Sequence, residues 1–579
     1  MNKLEIVHEL SELADILEIS GANPHRVRAF RNGSRALESW QGDLVALVDA
    51  GEVTSIRGIG QSLASIIEDA VTGGKSEEAT EVRALVPSEV LSWLGIPGIG
   101  PKKVRAIWDG LGITKLSELE DAAKAQQIRP LRGFGPKSEE EILAGIEQLR
   151  KFAGRSLRPA AEEVARRFVE AVRGAAGVER VELAGSLRRR RGTIGDVDIL
   201  VAADDGTAAR TAFLATSGIE RVEAEGEKKC RVIASEGIGV DLRIVRPIEF
   251  PAALHYFTGS KEHNTRLRQL AKDRGWKLNE YGLWRADDDR IETEDEDAIF
   301  RALDLAPIPP ELREDLGEFE RATAIDAFPP LVTVDDLRGI LHNHSTWSDG
   351  RNTLREMIEG ARAKGWIYYG TADHSRTASY AGGLSIAELR EQRQEVDALR
   401  DEFSDIKILH GVESDILPDG SLDYPDDVLA ELDYVVASVH ANFSLDSQAQ
   451  TARIEKALRS PFTTVWGHPS GRLLLRREPY ACDMEHLLRV AAEEGVIVEI
   501  NASPHRLDLD WRWGPLIAEL GIVVGIHPDA HSVAGLDDVR FGVGAARKAG
   551  LTPDRVTNTW EIEPYLERLR ARREKAGIA

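Results

Sequence analysis

The sequence predicts a chain of several domains: an all-helical N-terminal part, an α+β middle part and a C-terminal α/β part of barrel type. Three observations carry this reading. At 579 residues the chain is too long for a single hydrophobic core. Helical periodicity broken by glycine pairs dominates up to residue 153, and strand-like runs replace it between 181 and 245. After 338, seven short apolar runs alternate with helical segments, the rhythm of a parallel sheet that closes on itself.

Composition excludes several classes. A hydrophobic fraction of 42% and a charged fraction of 30% belong to an ordinary soluble protein. No run of eighteen apolar residues occurs, so a membrane span and a membrane partner are not expected. The start, MNKLEIVHELSELADILEIS, is acidic and amphipathic, unlike a secretory signal. Cys230 and Cys482 stand alone and far apart, which fits a reducing cytoplasm and excludes a thiolate metal site. The net charge of −23 argues against a nucleic-acid partner. The patches SLRRRRG (186–192) and RPLRGFGPK (129–137) argue back, because net charge averages over faces.

In chain order, the first element is a repeat. RGIG (57–60), GIPGIGPKK (95–103) and RGFGPKS (132–138) each place glycine, a hydrophobic residue and glycine before a helix. Such a corner turns backbone N–H groups outward, where they can hold a phosphate oxygen. One alone would mark only a tight turn; three with a shared pattern tip the balance towards phosphate contacts, and their resemblance to helix-hairpin-helix motifs implies non-specific DNA binding through Gly58, Gly60, Gly98, Gly100, Gly133 and Gly135.

The second element is GSLRRRRGTIGDVD (185–198). Asp196 and Asp198 alternate along one strand and share a face, and Asp241 in GVDLRIV can join them from a neighbouring strand. Three converging carboxylates repel unless cations lie between them, so two Mg²⁺ or Mn²⁺ ions serving phosphoryl transfer are expected. Gly185 and Ser186 would let the backbone approach a triphosphate, and Arg189 would neutralise it. The Gly-Ser pair and its spacing to the aspartates resemble the nucleotidyltransferase signature of the DNA polymerase beta superfamily. YFTGSKEHNTRLRQLAKDRGWKLNEYGLW (256–284) is similar to the thumb of family X DNA polymerases. That resemblance implies that Tyr256, Phe257 and Gly259 line a nucleotide pocket. It also implies that Lys261 and Asn264 contact the incoming dNTP, and Arg268 the template. It departs at one point: the helix in GIGQSLASIIEDA has Ser62 and Ile66 where lyase-active relatives carry lysines, leaving Lys75 as the nearby alternative.

The third element is the barrel. Its apolar runs are RGILHNH, WIYYGTADH, IKILHGVE, DYVVASVH, FTTVWGH, GVIVEINAS and GIVVGIHPDAH. They end in ligand-type residues: His342, His344 and Asp349, then His374, Glu413, His440, His468, Asp529 and His531. Strand ends of such a barrel face one mouth, so residues spread over 190 positions should converge there. Imidazole and carboxylate donors suit Zn²⁺, Mn²⁺ or Fe²⁺. HxHSxxSDG followed by DH, E, H, GHP and DAH closely resembles the PHP (polymerase and histidinol phosphatase) domain. The resemblance implies a distorted (βα)7 barrel with two or three Mn²⁺ and/or Zn²⁺ ions. His410, His505 and His527 fall outside the set, and Asn501 and Arg506 are candidates for substrate phosphate.

Together the resemblances imply six parts. They are a helical DNA-binding domain (1–85), fingers (86–153), a palm (154–250), a thumb (251–315), a linker (316–337) and a PHP domain (338–579). The expected function is a bacterial-type family X DNA polymerase that fills short gaps in DNA repair. A PHP 3′–5′ exonuclease would accompany it, with abasic-site cleavage or 3′-phosphatase activity also allowed. Gapped or primer–template DNA and dNTP are the expected partners of a cytoplasmic, nucleoid-associated monomer. The competing readings are a small-molecule nucleotidyltransferase joined to a phosphoesterase, and a non-enzymatic DNA-binding scaffold.

Overall fold

The computed structural model describes residues 3–578, except 41–43, 73, 75, 97, 286–288 and 325–326, so Lys75 lies outside the described residues. The chain divides into two compact units, 1–153 and 154–579.

The first unit is helical. In its opening helix, Lys3–Ser20, the residues Ile6, Leu10, Leu13 and Leu17 recur at helical spacing and are fully buried. At each glycine corner the first residue, Gly58, Gly98 or Gly133, takes a positive φ (101°, 76° and 91°) that glycine adopts without strain. Ile59 and Ile99 between the glycines are buried and pin the corner to the core. The second glycine opens the helix Gln61–Thr72, Pro101–Leu111 or Pro136–Phe152. Nothing lies within 4 Å of where a Cβ would stand at Gly60, Gly100 or Gly135, so the backbone there is open to a ligand.

The second unit begins with a five-stranded sheet. Strand Asp196–Ala202 pairs in parallel with Gly239–Val245, and this register sets Asp198 opposite Asp241. The antiparallel strands Arg180–Leu183 and Lys229–Ala234 flank that pair, and Ile219–Glu225 forms an edge. Helices Phe250–Thr258 and Lys261–Asp273 follow, then a three-stranded antiparallel sheet, sharing a core that includes Leu267, Leu283 and Phe300. The segment 316–337, expected as a linker, is packed: Phe319 and Ala322 join this core, and Val332 and Leu337 join the core of the barrel.

Seven parallel strands form the barrel: β1 (Gly339–Ile340), β2 (Tyr368–Thr371), β3 (Lys407–Asp415), β4 (Tyr434–Ser438), β5 (Val465–Trp466), β6 (Ile497–Asn501) and β7 (Val524–His527). Their order in the sheet follows the sequence, and a parallel bridge between Asn343 and Ala530 joins the two edges. Buried apolar strands with helices outside explain why these runs lack strict alternation. Tyr368, Leu409, Tyr434 and Ile497 fill the lumen together with Tyr565 and Leu569 of the C-terminal helix Ile562–Lys575, which packs at the strand starts. The strand ends are left as the mouth. Gly411 is required by this filling, since a Cβ there would overlap the Tyr434 ring. The His-x-His pair, which at i and i+2 would share one face if it continued the strand, departs from that expectation. His342 and His344 are not on a regular strand: β1 ends at Ile340, and His342 takes φ 57° while its N–H points to Tyr434 Oη at 3.4 Å.

Candidate functional site

The first centre lies at the end of the parallel pair of the five-stranded sheet. Gly185 has φ 59°, and a Cβ there would collide with the Asp198 carboxylate, so glycine permits the helical turn Gly185–Arg188 to sit against the aspartate. A cavity of about 440 Å³ is lined by Asp196, Asp198, Gly185, Ser186, Arg189, Tyr256, Phe257, Gly259, Lys261, Asn264 and Arg268. All nine residues assigned to nucleotide binding therefore share one cavity, of a size usual for small-ligand sites, about 300–1,000 Å³. Arg155 also lines it and was not found from the sequence, where a single arginine before a helix carries no signal.

The electrostatics call for a cation. Burial, followed by the neighbouring carboxylates of Asp196 and Asp241, raises Asp198 to about 7. Asp241 is 6% exposed and its Oδ1 has no hydrogen-bond partner. The Arg231 guanidinium fills part of the gap, bonding Asp241 and standing 3.5 Å from Asp196. This carboxylate set, eased by Arg231 and by Lys229 3.8 Å from Asp241 yet with Asp198 still raised, fits divalent cations. Nearby, Tyr256 and Phe257 meet edge to face, and the Asn264 amide donates to the Tyr256 carbonyl at 2.7 Å while its Oδ1 has no partner.

The basic run 188–191 is not a free patch. Arg188 grips Glu296 with both nitrogens and donates to Thr258 Oγ1. Arg189 pairs with Glu314 at 3.1 Å, Arg191 with the same carboxylate at 3.5 Å, and Arg190 stands 4.0 Å from Glu311. Glu314 also receives Lys548 of the barrel at 2.5 Å, and Arg191 lies over Trp511. The run thus joins the sheet, the following helices and the barrel. In the first unit Ser62 donates to Glu78 and Ile66 is fully buried, so neither position holds an amine.

The second centre is the barrel mouth, where all nine expected residues meet. Glu413, 1% exposed, lies within 3.7 Å of five imidazoles: His468 at 2.8, His374 at 2.9, His342 and His440 at 3.2 and His344 at 3.7 Å. Asp529 stands 3.1 Å from His344, and Asp349 3.2 Å from His531. Among the described residues, three groups keep their ligand atoms within 4.8 Å: His344–Asp349–His374–His531, His342–His344–Asp529 and His374–Glu413–His440. They share His344 and His374, the arrangement of adjoining metal sites. Three of the nine, His342, His468 and Asp529, have positive φ (57°, 24° and 53°), strain of a kind that clusters at functional sites.

The donor set fits metal. His342 Nε2 and both ring nitrogens of His344 are buried without a hydrogen-bond partner although carboxylates stand close, which leaves one imidazole lone pair on each neutral ring for a cation. Burial and the neighbouring imidazoles push His344 down to about 4. Burial also opposes a proton on His342 and His440, yet Glu499 and Glu413 hold His342 well above its ordinary value, and Glu413 with Asp415 holds His440 at about 10. Adjacent imidazoles split this way form a cluster that bound cations would relieve.

Several supporting residues were missed. Glu499 accepts from His342 Nδ1 at 2.6 Å and from the His468 backbone at 2.7 Å; Asp415 accepts from His440 Nδ1 at 2.5 Å. Asp373 gathers Ser345, Ser348, Thr371 and Gln392 behind the His342 loop. A glutamate inside a fully apolar strand was the available signal for Glu499. Asn501, a candidate for substrate phosphate, is instead fully buried and holds Glu499 and Asp529. Arg506 does reach the mouth, 3.7 Å from Asp529. His410 bonds Gln392 and His527 receives the Leu341 N–H, so both sit beneath the cluster. His505 has no ligand position.

Comparison with known proteins agrees with this division. Residues 1–76 match a helix-hairpin-helix domain, 90–148 a SAM-like helix-hairpin-helix tandem, 253–314 the DNA polymerase beta thumb and 341–503 the PHP domain. A probable phosphatase of Thermoanaerobacter sp. (strain X514) is 31% identical over 41% of this chain and 96% of its own. DNA polymerase lambda of Rattus norvegicus is 26% identical over 48% of this chain and 49% of its own. The DNA polymerase/3'-5' exonuclease PolX of Bacillus subtilis (strain 168) is 38% identical over 98% of this chain and all of its own. With that identity running through both centres and the helical unit, the chain belongs to the family X DNA polymerases that carry a C-terminal PHP domain.

Proposed function

We propose that the chain fills short gaps in DNA during repair and trims 3′ ends with its barrel as a 3′–5′ exonuclease. The observation that carries this is the presence in one unit of the carboxylate cavity and the nine-residue ligand mouth, within a chain alike over its length to a polymerase/exonuclease. In the first centre, the Gly185–Ser186 backbone and the guanidiniums of Arg189 and Arg155 hold the triphosphate of a dNTP. Tyr256 and Phe257 bound its sugar, Asn264 offers Oδ1 to its base, Lys261 adds a nucleotide contact and Arg268 faces the template. Asp196, Asp198 and Asp241 hold two Mg²⁺ or Mn²⁺ ions. In the second centre, the nine ligands hold two or three ions, Mn²⁺ or Zn²⁺. Bound divalent cations supply the charge that activates the attacking hydroxyl or water and balances the phosphoester oxygens. The glycine corners grip the DNA backbone, and the protein works as a cytoplasmic monomer. The likeness of the barrel to a probable phosphatase favours removal of a 3′-phosphate as a second activity of the same mouth.

The test is a cross. On gapped duplex with Mg²⁺, Asp198→Asn should abolish extension and leave Mn²⁺-dependent 3′-end degradation, and His344→Ala should do the reverse. If either variant keeps the activity assigned to its own centre, that assignment is wrong.

A further inference from the structure

Tyr380 has no part in the metal cluster and is the most exposed large hydrophobic side chain among the described residues, at 71%. A lone exposed apolar residue needs no explanation in general. This one stands on the rim of the barrel mouth, its ring 6.3 Å from that of His374 and tilted by 55°. Asp415, Glu413 and Asp349 of the cluster side, and Arg506, which stands 3.7 Å from Asp529, all act electrostatically on its hydroxyl. Arg477, which stacks on Phe443 at 4.1 Å, feels both Tyr380 and Arg506.

The turn that presents the ring is fastened down. Its stem is closed by the Leu384 N–H to the His374 carbonyl at 2.9 Å, and its tip by the Ala381 and Gly383 N–H groups to the Ala378 carbonyl. Asp423 binds the Arg376 side chain and the Thr377 N–H and hydroxyl at the base. The ring is exposed and belongs to no hydrophobic core cluster of the described residues, so core packing does not call for an aromatic side chain there. A rigid aromatic face beside guanidinium groups is how single-stranded nucleic acid is held: the ring stacks on a base and the cations take the phosphates. The ring-to-cluster distance is on the scale that separates a base from its own phosphate.

We infer that Tyr380 is the stacking platform for the base of the 3′-terminal nucleotide, placing the last phosphodiester over the cluster with Arg506 on its phosphate side. This rests on the exonuclease reading of the barrel. It makes the mouth a reader of unpaired, base-bearing 3′ ends, because a base must leave its partner to lie on the ring.

The experiment compares two single-stranded oligonucleotides with Mn²⁺, one ending in an ordinary nucleotide and one in an abasic tetrahydrofuran residue. The full chain is used as wild type, Tyr380→Ala and Tyr380→Phe. The wild type should favour the base-bearing end about tenfold or more in kcat/KM, within what base–aromatic stacking supplies. Tyr380→Ala should bring that ratio to about one, chiefly through KM, and Tyr380→Phe should keep it. A ratio unchanged in Tyr380→Ala, or lost equally in Tyr380→Phe, overturns the stacking role. If the wild type degrades neither end, the exonuclease reading itself has failed and the inference falls with it.

Discussion

Removing one negative charge from behind the metal mouth should weaken the metal and leave synthesis alone. Glu499 is fully buried, and its two oxygens serve His342 Nδ1 at 2.6 Å, the His468 N–H at 2.7 Å and the Asn501 amide at 3.2 Å. It therefore orients one ligand ring, fixes the backbone of a second ligand held at φ 24°, and steadies the asparagine that bonds Asp529. Glu499→Gln keeps the shape but offers one carbonyl oxygen in place of two. One of the three donors must then face an amide NH₂, which costs about 1–3 kcal/mol in a buried site. Losing the charged partner of a ligand histidine typically lowers metal affinity by about 10–100-fold. The expected result is a Mn²⁺ dependence of 3′-end degradation shifted to about 10–100-fold higher concentration, with gap filling on Mg²⁺ retained as the internal control. Metal titration by calorimetry should give the same shift. An unchanged Mn²⁺ midpoint would refute the account of Glu499 as the residue that sets the His342 ring.

Two further outcomes follow from buried groups. Lys548→Met removes a side chain with no exposure from Glu314, which keeps Arg189 and Arg191; the loss should be about 1–3 kcal/mol, less than the about 3–5 of a carboxylate left alone. Because Glu314 positions Arg189, the KM for dNTP in gap filling should rise several-fold, and an unaltered KM with a lowered melting temperature would reduce Lys548 to a packing role. His255 and His263 are both held well below their ordinary value of 6.5, by burial first and by Arg313 second. The unfolded chain therefore takes up protons below pH 6.5 that the folded chain refuses, so stability falls as pH drops through that value. His255→Phe should shrink the difference in melting temperature between pH 7 and pH 5; an equal difference in variant and wild type would place the acid sensitivity elsewhere.

What could be read in the sequence was local and periodic. The seven strands announced themselves because a strand buried on both faces must be an apolar run. Their ligands followed because strand ends of one sheet share a side. Asp196 and Asp198 were legible for the same reason, two residues apart on one strand. The charged residues that tune the centres were not. Glu499 meets His342 across 157 positions, and Arg188 meets Glu296 across 108. The run SLRRRRG shows the limit most plainly: it read as a free basic surface, and the fold pairs it with Glu296, Glu311 and Glu314 as a junction.

The element types and the two gatherings of ligand-type residues were thus legible from residue identity and short spacing. It took the folded contacts to show that Arg231 bonds Asp241 beside Asp196, that Glu499 and Asp415 back the histidines, that Asn501 is withdrawn from the mouth, and that Tyr380 faces solvent beside His374. A side chain's protonation and role follow from its neighbours and from the water it loses, and both are set by contacts between distant parts of the chain.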